Sequence, residues 1–174
     1  TECINAWFDE KFEEELAFSP IRQTMLGRKT DYDKLDDFSV AAAEEEIAWW
    51  QQALAEMEAN FDYDELSEEA QLSYDMFRYR ADMAARSGEF HDQEYILHQM
   101  QGMHVALPSI ILGHHTVEGE SDMVAFIARL GALGPAMDQL LARAQANSEA
   151  SLGRYVPGSQ PSSDEQLFVA GYTY

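Results

Sequence analysis

The sequence predicts an all-α protein, an up-and-down helical bundle of about five to six helices with an irregular C-terminal tail. Three observations lead there. Apolar residues recur at steps of three and four along most of the chain, no segment sustains the alternation of a strand, and Ser, Pro and Gly stand where helix caps and stops belong. The period fails after about Asn147. Residues 1–147 therefore read as a helical domain, and 148–174, rich in Gly, Pro and Ser, as tail.

In INAWFDEKFEEELAF, Ile4, Phe8, Phe12 and Leu16 recur every four residues with Trp7 beside them, and the acids face away. Ser19-Pro20 restarts a helix, Ser as N-cap and Pro at the first position, and Gly27 is its expected left-handed stop. Ser39 caps the next helix, in which Val40, Ala43, Ile47, Trp50, Leu54, Met57 and Phe61 form an unbroken seam. Ser67 starts a third, with Leu72, Met76, Tyr79 and Met83 on one face and Tyr74, Phe77 and Ala81 near a second. Two apolar faces predict a central position, and Ser87-Gly88 is the expected end. EYILHQMQ reads as helical, Gly102 interrupts, and MHVALPSIILGHH resumes with Pro108 as a kink or new start. Ser121 is the expected cap of a long last helix with Val124, Ile127, Leu130, Leu133, Met137, Leu140 and Leu141 as its apolar face, bent at Gly134-Pro135.

The 174 residues carry 11 Lys and Arg against 32 Asp and Glu, for a formal charge of −21. That balance argues against nucleic acid, which needs a basic stripe, and against anionic membrane surfaces. Its plain reading is a solvated, self-repelling surface. No apolar run approaches the ~18 residues of a membrane span, so none is expected. Cys3 is alone and forms no internal disulfide, and Thr-Glu before it is not the apolar stretch that lipid attachment requires. The chain opens on Thr1 without a signal-like apolar region, as expected of a removed export signal or of a piece cut from a longer chain.

All five histidines fall between His91 and His115. A helical zinc peptidase needs two imidazoles one turn apart with a carboxylate between them, and HExxH is absent. So is the paired Glu-x-x-His of di-iron bundles. His91, Glu94 and His98 share one helical stripe, a weak metal candidate weighed against ordinary hydrogen bonding. His114 and His115, being adjacent, point apart and suit a helix C-terminus. No nucleophile elbow and no phosphate loop is present. Trp49 and Trp50 fit core packing better than a binding platform. No catalytic or metal-ligating residue is assigned.

In order, INAWFDEKFEEELAFSPIRQTMLGRK, LDDFS, LSEEAQLSYDMFRYR, HQMQGMHVALP and SDMVAFIARL resemble the amino-terminal region of the bacterial domain-of-unknown-function family 885, over roughly residues 4–144. The resemblance implies helical zinc metallopeptidases of the HExxH type, often exported and sometimes lipid-anchored, with the zinc helix far downstream of the matched region. It makes Gln99, Gly102, His104 and Pro108 recurring motif positions, which either line a cleft or fix a helix bend; the bend is favoured. On that basis this chain is expected to be the N-terminal helical scaffold of a metallopeptidase-like protein, inactive alone. Zinc is implied for the full-length family and no cofactor for this chain; a peptide substrate requires the downstream region, and a periplasmic or cell-envelope location is implied. The alternative is a self-contained binding or self-association module, a homo-oligomer through an uncovered apolar face.

Overall fold

Three serines open helices where the sequence predicts them. In the computed structural model, which describes residues 2–90, 96–97 and 102–153, the hydroxyls of Ser19, Ser39 and Ser67 accept from the N–H groups of Arg22, Ala42 and Ala70. They cap α2 (Pro20–Met25), α3 (Val40–Asn60) and α4 (Glu68–Glu89). Ahead of them runs α1 (Glu2–Ala17), and after them α5 (Met103–His114) and α6 (Glu120–Gly153). A single 3-10 turn, Tyr63–Glu65, joins α3 to α4, and no strand occurs among the described residues.

Gly27 stops α2 as predicted. It sits at φ 77°, its N–H donates to Thr24 O at 2.9 Å, and the Arg28 N–H reaches Gln23 O at 2.9 Å, closing both orphan carbonyls of the last turn. A Cβ here would meet nothing within 4 Å, so Gly27→Ala adds backbone strain without a clash. We expect it to cost about 1 kcal/mol by urea denaturation. An unchanged midpoint would show that the left-handed turn relaxes.

The helices enclose two cores. In the first, Ile4 and Trp7 of α1 meet Met57 of α3 and Ala70 and Tyr74 of α4. Trp7 lies edge-on to Phe8, Phe61 and Phe77, with centroids 5.4, 5.9 and 5.1 Å away. Its indole N–H donates to Glu56 at 2.9 Å. In the second, Ile21 of α2 and Ile96 pack with Leu107 of α5 and with Ala136, Leu140 and Ala144 of α6. Buried Glu15 fastens α1 to both sides, accepting from Arg22 of α2 and Arg80 of α4, each at 2.7 Å.

Several expectations change. The stripe Leu72, Met76, Tyr79 and Met83 is 62, 60, 66 and 45% exposed. α4 is therefore peripheral, because α1 and α3 cover its Ala70–Tyr74–Ala81 side and no described residue covers the other. On α6, Val124, Ile127, Leu130 and Leu141 also face outward. The inward stripe is Asp122, Arg129, Ala136, Leu140, Ala144 and Asn147, mostly small or polar residues, so of the predicted apolar face only Leu140, with Leu133 and Met137 partly buried beside it, packs inward. Ser121 is not the cap: α6 begins at Glu120, with Gly119 O accepting from Met123 N–H and the Asp122 carboxylate from Glu118 N–H. α5 is continuous through Pro108, which is therefore not a new start, and α6 is continuous through Pro135, since the neighbouring turns hold each helix despite one lost N–H. Ile96 and Leu97 form a bend rather than part of a helix. α6 continues six residues beyond Asn147 to Gly153.

Residues Glu120–Ser148 of α6 are, by length and composition alone, apolar enough to cross a membrane. A search for an unbroken apolar run misses this, because Gly, Pro, Gln and sparse charges interrupt the Ala, Val, Ile, Leu, Phe and Met residues that give the segment its hydropathy. It also holds Arg129, whose partners are all protein groups of this chain.

Candidate functional site

A charged side chain stands on the buried side of α6. Arg129 is 1% exposed, and its guanidinium is satisfied from several directions. Nε donates to Lys34 O at 2.8 Å, and one terminal nitrogen donates to Thr24 Oγ1 at 2.7 Å and Pro20 O at 3.3 Å. The other lies 3.3 Å from His115 Nδ1. The far imidazole nitrogen, Nε2, is 3.0 Å from the Asp122 carbonyl. A carbonyl only accepts, so Nε2 carries the proton and Nδ1 accepts from Arg129.

Tyr32 closes the cluster. Its ring stacks on His115 at 3.9 Å and lies 5.1 Å from the Arg129 guanidinium. Its hydroxyl donates to Thr116 O at 3.0 Å and accepts from Thr116 N–H at 2.7 Å, tying the 26–39 loop to the α5–α6 turn. Burial pulls Arg129 below its ordinary range, opposed by Tyr32, Asp36 and Asp33. Asp36 accepts from Ser19 Oγ at 2.6 Å and Ile21 N–H at 2.9 Å, yet burial raises it above 3.8 against those bonds and the Arg129 charge.

At the rim, Lys29 donates to Glu118 and Asp122 at 2.7 and 2.8 Å. The Lys29 hydrogen bond, then that of Glu118 N–H, holds Asp122 below its ordinary 3.8. A depressed acid binds fewer protons folded than unfolded. Its contribution is complete above 3.8 and is lost as pH falls through the lower folded value. Asp36 has the opposite sign, its contribution fading as pH rises from 3.8 through its raised value. Thermal melts between pH 5 and 2 should therefore fall less steeply for Asp122→Asn than for the wild type. Parallel curves would refute the assignment.

This cluster clamps α2, the 26–39 loop and the start of α6. Both His115 nitrogens are engaged, the ring is buried, and Thr24 Oγ1 donates to Pro20 O. No group of three His, Cys, Asp or Glu suited to a metal occurs among the described residues. The side chains described do not fit a catalytic zinc. His91, Glu94, His98 and Gln99 lie outside the described residues.

Of the other motif positions, Gly102 is buried and opens α5, its carbonyl accepting from Val105 and Ala106 N–H at 2.9 and 3.1 Å. His104 is exposed one residue into α5, and Pro108 is half-buried within it. Neither Gly102 nor His104 is a partner of Arg129 or His115. His114 is exposed while His115 is buried, so the pair does point apart. Two shallow depressions occur elsewhere, one lined by Val40, Ala43, Glu44, Ile47 and Gly88, the other by Phe8, Ser73, Met76, Phe77 and Arg80. Periodicity had missed Arg129, Tyr32 and Asp36. The available signal was weak: Arg129 is the single charged residue between Asp122 and Asp138 of α6.

Fold and clamp together define an all-α helical domain built around a buried arginine. The chain belongs to the family described as "Bacterial protein of unknown function (DUF885)", whose model matches residues 20–160. No curated protein and no solved structure matches the chain.

Proposed function

We propose that this chain is the N-terminal helical scaffold of a zinc-metallopeptidase-like protein, forming one wall of a substrate cleft completed by other parts of a longer polypeptide. The observation that carries this reading is the outer face of α6. Val124, Ile127, Leu130 and Leu141 stand exposed along a helix within the family match, whose inner side is already fully packed. Large apolar rows on one helix mark a surface meant to be covered. The sequence contains no HExxH, so metal chemistry belongs outside these residues.

Zinc-dependent peptide hydrolysis should be absent from this chain and present in a longer polypeptide carrying HExxH. Chelator-sensitive turnover by the 174-residue chain alone would overturn the reading. On the resemblance we also assign the complete protein to the periplasm or cell envelope, to be checked by fractionation. The exposed row on α6 favours a second reading, a self-associating module. Sedimentation discriminates: a clean monomer at tens of micromolar removes it.

A further inference from the structure

The outward face of α4 has a specific pattern that the proposed scaffold role leaves unused. Leu72, Met76, Tyr79, Met83, Arg86 and Phe90 follow one another at steps of 4, 3, 4, 3 and 4, and all are exposed. That is the spacing of a coiled-coil seam. A surface with this repeat matches knobs from another helix, whereas a strand or irregular segment has no such period. Beside the seam, Phe8, Ser73, Met76, Phe77 and Arg80 line a shallow depression that can receive a large side chain.

The flanks differ sharply in charge. One carries Glu68, Asp75, Asp82 and Glu89, an exposed acid at every seventh residue, of which Asp75 already accepts from the Tyr63 hydroxyl at 2.9 Å. The other carries Ser73, Arg80 and Ser87, and Arg80 is committed to Glu15 at 2.7 Å while lying 4.6 Å over Trp50. Flank charges of a seam choose the partner. Two copies packed antiparallel would set these acids against one another. Packed parallel, they would set them against serines and an arginine already in use.

We propose that the outer seam of α4 docks a helix of a separate polypeptide that presents apolar residues at heptad spacing and Lys or Arg at every seventh position beside them. The acids select the register and repel a second copy of this chain; Met76 and Met83 lend the seam side-chain adaptability.

The test is calorimetric titration of the full chain with two synthetic three-heptad peptides, each with a leucine seam, one flanked by Lys and the other by Glu. At about 0.1 M salt, where exposed charges act only over ~10 Å, the Lys peptide should bind at least roughly ten-fold more tightly. Tyr79→Glu, on an exposed position, should weaken that binding at least roughly ten-fold with helix content unchanged by circular dichroism. Changing Asp82 and Glu89 together to Lys should reverse the preference. The chain as a whole stays strongly acidic, so diffuse attraction could not produce a reversal. Binding indifferent to both variants, no binding of either peptide, or a dimer in sedimentation that Tyr79→Glu dissolves would each overturn the proposal.

Discussion

Arg129→Ala should lower unfolding free energy by about 3–5 kcal/mol, the range for breaking a buried charged network. The guanidinium is 1% exposed and serves Lys34 O, Pro20 O, Thr24 Oγ1 and His115 Nδ1, so truncation leaves a cavity and several unpaired polar atoms. Arg129→Lys should recover little of the loss, because a compact ammonium cannot reach a planar fork's partners at once. Urea denaturation of both variants measures it. A Lys variant within about 1 kcal/mol of wild type would show that the charge alone is what the site requires.

Trp7→Ala should cost a similar ~3–5 kcal/mol through a different cause. The ring is 8% exposed and touches Phe8, Phe61 and Phe77 edge-on, so its removal empties the centre of the first core. Trp7→Phe keeps most of the packing and removes the N–H donated to Glu56, which should cost about 1 kcal/mol. Equal losses in the two variants would mean that the hydrogen bond, not the packing, dominates. Against a total of ~5–15 kcal/mol for a domain, each alanine variant removes a large fraction of the stability.

The elements were legible because local chemistry fixes them. Ser19, Ser39, Ser67 and Gly27 act within four residues of their own position, and the predicted α3 seam is buried at Trp50 and Met57 and partly buried at Ala43, Ile47, Leu54 and Phe61, with only Val40 at its start exposed. Which face of a helix turns inward depends on what packs against it, and there the apolar pattern misleads on α4 and α6. Tyr79 and Ile127 are apolar and exposed, while Arg129 and Asp122 are charged and buried. The clamp was illegible for a related reason. Tyr32, His115 and Arg129 are individually unremarkable, and only the fold brings the 26–39 loop beside the start of α6.

The clamp also bears on how the chain emerges from a ribosome. The first core is drawn from α1, α3, α4 and the short α3–α4 connection, all within residues 2–89, so that half can assemble while synthesis continues. The carbonyls of Pro20 and Lys34 must wait for a side chain 109 and 95 positions later. Contacts so distant along the chain form slowly, and the surfaces awaiting them stay open to wrong partners meanwhile. During translation, the nascent segment around α2 is where a chaperone has most to protect.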